Sequence, residues 1–385
     1  MDTLNLENSS LDLTICTNIT CRLVQLVDIV DLTYVYEHYP YQTSTTATMS
    51  LSLREFVKSS LAHIDLAAGD VILDIGGNDG TLLSNFIGQN FTLVNIDIAS
   101  GIEQVVNAEE YIYVNNKFSA QVYRDLNLRA PKCIFSSAVF YQIPDLELFC
   151  SDISKIMNNE SVFFLQMAYL GSMYKNAVYD NIVHEHLTYF SLLSLTSLLE
   201  RFDLQLVDAE VIDLYGGSLR VSVTKSSSGY PINRKNLLKI KALEEEQCTN
   251  ELETLLKFGE GFSNWREDAN RIFSELLVEY GQVLGMGAST KGNMILQALG
   301  INQEVMPFIL DNNKKKIGSV TSGSLIPILD EAEFKARDSA IMLLPYYYLD
   351  FFIEKLRSII PNEVCIKLFV PLPAARVIEL RGKDE

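Results

Sequence analysis

The sequence alternates short β-rich runs with stretches of helical spacing from Asp70 to about Thr224. Five of the β-rich runs are four to seven residues long, namely VILDI, TLVNID, YIYV, CIFSSAV and VFFLQM. Because helices between short buried strands pack back onto the sheet, this alternation predicts βαβ units in a parallel, doubly wound sheet. Two further runs, LQLVDAEV and LRVSVTK, flank a Gly-Gly turn and predict an antiparallel hairpin at the edge of that sheet.

A second series of the same kind follows closer to the C-terminus. It comprises QVLGMG, a helical stretch through MILQAL, and then VMPFIL, AIMLLP and CIKLFV, and it predicts a second α/β unit. Between the two series, charged stretches with apolar residues three and four apart predict one or two amphipathic helices. We therefore expect an N-terminal cap, a first Rossmann-like domain, a helical linker and a second Rossmann-like domain, over residues 1–65, 66–225, 226–280 and 281–385.

Charge and hydrophobicity argue against several classes of protein. The 385 residues include 31 Lys and Arg against 49 Asp and Glu, so the formal charge is −18 and we expect no nucleic-acid partner. No run of about 18 apolar residues occurs, and the acidic N-terminus lacks the features of a signal peptide. We therefore expect no membrane partner and a cytoplasmic location. Six scattered cysteines argue against a disulfide framework.

The segment VILDIGGNDGTLL places a glycine-rich turn directly after a predicted buried strand. Asp74, Gly76, Asn78 and Gly80 lie where the backbone turns tightly and approaches a ligand closely. Asp97 ends the next predicted strand, where an acid accepts hydrogen bonds from ribose hydroxyls; the alternative is a helix-capping or solvated aspartate. The glycines do not follow the G-x-G-x-x-G order of a dinucleotide site. The acid before the glycines and the later hairpin resemble a class I S-adenosylmethionine-dependent methyltransferase, which implies S-adenosylmethionine as the cofactor.

Two of the four histidines in the chain bracket a glutamate in YDNIVHEHLTYFS. His184 and His186 lack the i, i+4 spacing of H-E-x-x-H, so this pattern disfavours a zinc site. Histidine titrates nearest neutrality, so the pattern indicates a general base with Glu185 as its carboxylate neighbour. The alternative is a pair of histidines with satisfied hydrogen bonds in a turn before the predicted helix FSLLSLTSLLERF.

The segment VLGMGASTKGN opens the second series with another glycine turn before a predicted helix. Its Ser289, Lys291 and Asn293 supply a hydroxyl group, a cation and an amide. Such a turn at a helix N-terminus is suited to an anion such as a diphosphate. The order G-x-x-x-x-G-K-[ST] is absent, which argues against nucleoside triphosphate hydrolysis. The alternative is a tight turn with a solvated lysine.

Five separated motifs occur in the order NDGTLL, YDNIVHEHLTYFSL, GGSLRV, GASTKGNMIL and LDNNKKKIG, spread over almost the whole chain. This order resembles the bacterial S-adenosylmethionine-dependent sugar C-methyltransferases, which act on nucleotide-linked 4-keto-deoxysugars. In that family a small zinc-binding N-terminal domain, a central cofactor domain and a Rossmann-like C-terminal domain enclose the sugar nucleotide. The resemblance implies that Glu185 and His186 are the catalytic pair and that Tyr41 is an active-site tyrosine. We further expect substrate contacts from His184, Gln142, Ser289, Lys291 and Asn293.

The sequence departs from this family at three places. Cys16 and Cys21 are spaced like an altered second pair of the zinc site, and no first pair precedes them, so we predict no zinc. Val183 stands where members of the family that methylate C3 carry a tyrosine. Gln142 stands where they carry a histidine. These two differences concern the substrate and the stabilisation of an enolate more than the methyl transfer itself.

The resemblance thus implies transfer of a methyl group to a carbon, C3, of a nucleotide-linked 4-keto-deoxysugar. His186 would remove the C3 proton, which the neighbouring carbonyl group acidifies. Two alternatives stay open at this point. One is a sugar O-methyltransferase that uses the same base, and the other is a catalytically idle relative that only binds a sugar nucleotide or a partner.

Overall fold

The predicted strands and helices form in the parts of the chain that the structure, a computed structural model, describes: residues 9–37, 41–99 and 110–382. The strands are β1 Leu13–Ile15, β2 Val24–Leu26, β3 Val71–Ile75, β4 Thr92–Asp97, β5 Ile112–Asn115, β6 Cys133–Ser137, β7 Val162–Ala168, β8 Thr188–Tyr189, β9 Leu204–Ile212, β10 Ser218–Lys225, β11 Val283–Met286, β12 Ile309–Asp311, β13 Ile328–Asp330, β14 Ser339–Leu343, β15 Ile366–Val370 and β16 Arg376–Leu380. The helices are α1 Thr33–Glu37, α2 Ala47–Ser60, α3 Ala120–Arg124, α4 Leu146–Ile156, α5 Leu170–Lys175, α6 Leu192–Glu200, α7 Arg234–Glu246, α8 Leu252–Tyr280, α9 Thr290–Leu299 and α10 Leu349–Ile359.

The chain divides into two compact units, and each unit is built from two stretches of the sequence. The first unit combines Met1–Ser172 with His184–Leu252. The second unit combines Met173–Val183 with Glu253–Glu385. The boundary at residues 183 and 184 therefore lies immediately before the His-Glu-His segment.

The first unit contains the seven-stranded sheet that the first β-rich series predicts. Its strand order is β5-β4-β3-β6-β7-β10-β9, in which β5, β4, β3, β6 and β7 run parallel. The predicted hairpin is confirmed, because β10 pairs antiparallel with both β7 and β9 at one edge. This is the Rossmann-like architecture of a class I methyltransferase, and it brings the loops that follow the parallel strands to one edge of the sheet.

The core of this unit consists of two apolar layers, one on each face of the sheet. Along β3, Leu73 and Ile75 belong to one layer and Ile72 to the other, as expected when alternate side chains point to opposite faces. Every residue of β3 is buried, which explains why its sequence is a continuous apolar run interrupted only by Asp74. The buried strand fixes the position of the glycine loop that follows it.

A small antiparallel sheet of the order β1-β2-β8 lies in the same unit. The strand β8 comes from far along the chain, and its Thr188 pairs with Gln25 of β2. Because β8 begins two residues after His186, this pairing fixes one end of the His-Glu-His segment. The predicted helix after it is confirmed as α6, whose N-cap Ser191 accepts a hydrogen bond from the backbone of Ser194.

The second unit contains a six-stranded sheet of the order β13-β12-β11-β14-β15-β16. Its first five strands are parallel and β16 is antiparallel to β15, so the second predicted α/β unit is confirmed. The strands β13 and β16 lie outside the runs that predicted this sheet. The long helix α8 contacts the residue that follows β15, because the Trp265 indole Nε1 donates to the Pro371 carbonyl oxygen at 2.6 Å. Within the described residues, no helix is long and apolar enough to cross a membrane.

Candidate active site

The glycine loop leaves the carboxyl end of β3 in a conformation that favours glycine. Gly76 and Gly80 have φ angles of 69° and 77°, and Asn78 has a φ of 50°. A Cβ atom at Gly76 would lie 2.4 Å from the Val139 side chain, and one at Gly80 would lie 2.7 Å from the Tyr111 hydroxyl oxygen. The two positions therefore require glycine on grounds of both backbone conformation and space.

Asp97 at the end of β4 holds this loop through its carboxylate. Its Oδ2 accepts a hydrogen bond from the Asn78 backbone N–H at 2.8 Å, and its Oδ1 accepts one from the Ala99 N–H at 2.8 Å. Burial raises the pKa of Asp97, and these backbone hydrogen bonds oppose the rise because they favour the charged form. Asp97 thus has a structural role in the loop, and its contact with a ribose stays a prediction.

Residues 41–44 form hydrogen bonds with the glycine loop. The Asn78 side chain donates through Nδ2 to the Tyr41 carbonyl oxygen at 3.1 Å and accepts from the Thr43 N–H at 3.0 Å. The fully buried Asp79 accepts from the Ser44 N–H at 2.9 Å. Our sequence reasoning missed Asp79, although an acid inside a glycine loop was a visible signal.

The His-Glu-His segment lies against Tyr141, which follows β6. His186 is buried, and its ring meets the Tyr141 ring edge to face with centroids 4.5 Å apart. The Tyr141 carbonyl oxygen accepts from the Leu187 N–H at 2.9 Å. Gln142 is the next residue and is half-buried. Tyr141 therefore fixes both the ring and the backbone of this segment, a contact that nothing in the local sequence indicates.

Glu185 and His184 lie in a less polar environment than water. Burial raises the pKa of Glu185, and the Tyr36 hydroxyl group donates to the Glu185 carbonyl oxygen at 3.4 Å. Burial lowers the pKa of His184, an effect that the negative charge of Asp28 opposes. A lowered pKa favours the neutral imidazole near pH 7, which has one hydrogen-bond donor and one acceptor.

The turn between β6 and α4 connects the two parts of this candidate site. Val139 lies against Gly76 of the glycine loop, and Tyr141, two residues later, lies against His186. Tyr36 contacts the His-Glu-His segment through Glu185, and Tyr41 contacts the glycine loop through Asn78. The first unit thus brings the loop and the His-Glu-His segment to one region at the carboxyl ends of the parallel strands.

The second glycine loop forms the N-terminus of α9 in the second unit. Ser289 is the N-cap, and its Oγ accepts from the Gly292 N–H at 3.0 Å. The Lys291 ammonium donates to the Asn181 Oδ1 at 2.5 Å and lies 4.9 Å from the centre of the Tyr347 ring. Burial lowers the pKa of Lys291, and the nearby Asp180 opposes this. Asn293 is half-buried on the same helix. Lys291 is therefore ordered by its neighbours, unlike a solvated surface lysine.

Cys16 and Cys21 lie in the turn between β1 and β2, and both are free thiols that are partly buried. Burial raises the pKa of the Cys21 thiol, and a hydrogen bond with Cys16 adds to the rise. Within the residues that the structure describes, no three His, Cys, Asp or Glu side chains form a group that could hold a metal ion. The lack of zinc stays a prediction.

Comparison with known proteins identifies both halves of the chain. Residues 48–209 match the methyltransferase domain family, and residues 213–373 match the C-methyltransferase C-terminal domain family. C-methyltransferase NovU of Streptomyces niveus is 27% identical over 371 residues, which are 96% of this chain and 87% of NovU. The chain is an S-adenosylmethionine-dependent methyltransferase with a C-methyltransferase C-terminal domain. It is an enzyme whose cofactor is S-adenosylmethionine.

Solved structures of two other methyltransferases are each similar to 46% of this chain. A S-adenosylmethionine-dependent methyltransferase from Clostridium acetobutylicum is 11% identical, with a TM-score of 0.36, over 46% of this chain and 92% of its own. Magnesium protoporphyrin IX methyltransferase from Synechocystis, solved with bound S-adenosylmethionine, is 9% identical, with a TM-score of 0.34, over 46% of this chain and 78% of its own.

The glycine loop of this C-methyltransferase fits its cofactor. Gly76, Gly77 and Asn78 are half-buried, so their backbone remains accessible to a ligand. A Cβ atom at Gly77 would lie 2.5 Å from the Asn95 Oδ1, so no side chain fits between this loop and β4. A carboxylate, Asp97, ends the neighbouring strand. These residues provide a close backbone approach and an acceptor for hydroxyl groups, as a nucleoside ligand requires.

Proposed function

We propose that this C-methyltransferase adds a methyl group to C3 of a nucleotide-linked 4-keto-deoxysugar. The observation that carries the proposal is the turn after β6, whose Val139 meets the glycine loop and whose Tyr141 meets His186. Because Val139 and Tyr141 are two residues apart, His186 lies in the same region of the first unit as the cofactor loop. The 27% identity with C-methyltransferase NovU supports carbon as the acceptor atom.

The proposed reaction begins with the substrate proton. The carbonyl group of a 4-keto sugar acidifies the neighbouring C3–H bond, and a ring nitrogen of His186 accepts that proton, leaving an enolate on the sugar. Glu185, next in sequence, orients the imidazole, and the Tyr41 hydroxyl group forms a hydrogen bond with the sugar. When bound, S-adenosylmethionine supplies an electrophilic methyl group on a sulfonium centre. General-base assistance by a residue such as His186 accounts for roughly 10²- to 10⁴-fold in rate.

We assign the second glycine loop to the phosphate groups of a nucleotide-linked sugar. In the second unit, the N-terminus of α9 and the Lys291 ammonium provide positive charge in a chain of formal charge −18. Ser289 and Asn293 add a hydroxyl and an amide. His184 and Gln142, both half-buried in the first unit, are the proposed sugar contacts.

The experiment that tests this function uses two histidine variants. His186→Ala should lower turnover on a 4-keto nucleotide sugar by roughly 10²- to 10⁴-fold while S-adenosylhomocysteine still binds, because the cofactor loop is intact. Deuterium exchange at C3, measured without methyl donor, should fall in parallel. His184→Ala is the matched control and should affect exchange less.

Product analysis distinguishes the acceptor atom. A new C-methyl signal in the NMR spectrum of the product supports the proposal, whereas an O-methyl signal on a sugar hydroxyl group contradicts it. If C3 exchange persists undiminished in His186→Ala, the base is another residue and Tyr41 is the first to replace.

We also propose that the enzyme acts in the cytoplasm. All six cysteines lie in the described part of the chain and all are free thiols there, which suits a reducing compartment. Fractionation of cells that produce the tagged protein tests this, and recovery from an extracellular or periplasmic fraction would contradict it.

A further inference from the structure

Two buried oxygen atoms beneath the glycine loop lack a hydrogen-bond donor among the described residues. They are the Asp74 Oδ2 on β3 and the Asn95 Oδ1 on β4. Asp74 is 2% exposed and Asn95 is fully buried. Leaving a buried acceptor without a donor is costly, so a pair of such oxygens in one place requires an explanation.

The two oxygens face the same point. Asp74 and Asn95 are directly paired in the register of the parallel strands, so their side chains extend from the same face of the sheet. A Cβ atom built on Gly77 would lie 2.6 Å from the Asp74 Oδ2 and 2.5 Å from the Asn95 Oδ1. The amide orientation of Asn95 is fixed by its other end, because Nδ2 donates to the Asn78 carbonyl oxygen at 3.0 Å. If the amide were rotated, its Oδ1 would face the Asn78 carbonyl oxygen, and one contact between two acceptors would replace another.

We propose that Asp74 is protonated in the folded enzyme and that its O–H group donates to the Asn95 Oδ1. One proton then satisfies both oxygens. Asp74 is in this view a positioning residue: it holds Asn95, and Asn95 holds the carbonyl group of Asn78, whose φ of 50° shapes the cofactor loop. The inference rests on the cofactor loop and is independent of the sugar reaction.

The surrounding charges favour the neutral acid. Burial raises the pKa of Asp74 well above its usual range, and the negative charges of Asp97 and Asp79 add to the rise. The Tyr111 hydroxyl group, next to Gly80, has a pKa that burial and the negative charge of Asp79 raise, so it stays neutral as well. The neighbour of Asp74 on β6, Phe135, brings no charge.

The test compares Asp74→Asn with Asp74→Ala in the full chain, with S-adenosylhomocysteine as the probe. An asparagine amide donates to the Asn95 Oδ1 as the protonated acid does, so Asp74→Asn should fold and bind within about threefold of the wild type. Asp74→Ala removes the donor, and its dissociation constant should rise by roughly 5- to 150-fold. Equal losses in the two variants, or failure of Asp74→Asn to fold, would overturn the proposal.

Infrared spectroscopy provides a readout that a purely structural role would not change. The difference spectrum of wild type minus Asp74→Asn at neutral pH should show the C=O stretch of a protonated carboxylic acid. A carboxylate band in its place would show that Asp74 is ionised and would refute the inference. If the wild-type enzyme shows the acid band but transfers no methyl group to a 4-keto nucleotide sugar, that result counts against the proposed sugar reaction alone.

Discussion

Arg220 is a buried cation on β10 that connects β7 and α2 in the first unit, and we expect Arg220→Met to destabilise that unit. The side chain is 7% exposed. Its Nε donates to the Gln166 Oε1 at 2.7 Å, and its Nη2 donates to the Ser52 carbonyl oxygen at 2.9 Å. Its guanidinium carbon also lies 5.3 Å from the centre of the Phe56 ring. Methionine keeps much of the aliphatic volume but donates no hydrogen bond.

The size of the effect follows from the acceptors that the variant leaves behind. The two buried acceptors each lose a donor, which costs about 1–3 kcal/mol per group. An opposing effect stabilises the variant, because methionine carries no charge that must be desolvated on folding. Burial of the guanidinium lowers the pKa of Arg220, which shows that the wild type has this desolvation cost. We therefore expect the free energy of unfolding to fall by about 2–4 kcal/mol. The half-exposed partner Glu210, whose Oε1 lies 3.4 Å from Nη1, should contribute under about 1 kcal/mol.

Urea denaturation followed by far-UV circular dichroism measures this difference. The matched control is Glu210→Gln, which removes only the exposed ion pair. Adding Gln166→Leu to Arg220→Met should recover part of the loss, because the acceptor without a donor is then gone. Equal unfolding midpoints for Arg220→Met and Glu210→Gln would refute the reasoning that buried acceptors determine the cost.

Three further predictions concern the cofactor loop and the cysteines. Asp97→Ala should raise the dissociation constant of S-adenosylhomocysteine in calorimetry by about 10- to 150-fold, since it removes a charged acceptor; an unchanged constant would contradict the assignment. Gly80→Ala should weaken the same binding and lower the thermal midpoint, because the φ of 77° and the Tyr111 hydroxyl oxygen at 2.7 Å leave no room for a Cβ atom; wild-type values for both would show that the loop adapts. Elemental analysis of protein purified without chelator should find no stoichiometric zinc, and one equivalent that disappears on replacing Cys16 or Cys21 would show that we misjudged the ligands.

The sheets could be predicted because their signal is local. A run such as VILDI is apolar, β-branched and followed by glycines, and it forms a fully buried strand at the predicted place. The amphipathic spacing after residue 226 likewise forms α7 and α8. In both cases neighbouring residues determine the structure, so the printed sequence contains the information.

The contacts of the candidate site depend on residues that are distant in sequence, and no local pattern reports them. The Tyr141 ring meets His186, and the Asn78 side chain binds the backbone of Tyr41 and Thr43. The catalytic and substrate roles came from the resemblance and remain predictions. The sequence also left Asp97 between two interpretations, and the structure shows that it accepts backbone hydrogen bonds.

The strand β8 has a consequence for how the protein is made. Its Thr188 pairs with Gln25, so the N-terminal sheet lacks its third strand until the ribosome has added about 160 more residues, which takes roughly 10–30 s at usual elongation rates. Val24 and Leu26 of β2 are almost fully buried in the finished protein. During this interval the edge of β2 that later pairs with β8 has no neighbouring strand. An uncovered strand edge of this kind can pair with another chain. Truncated chains that end before β8 should therefore need a chaperone to stay in solution, whereas the full chain should not.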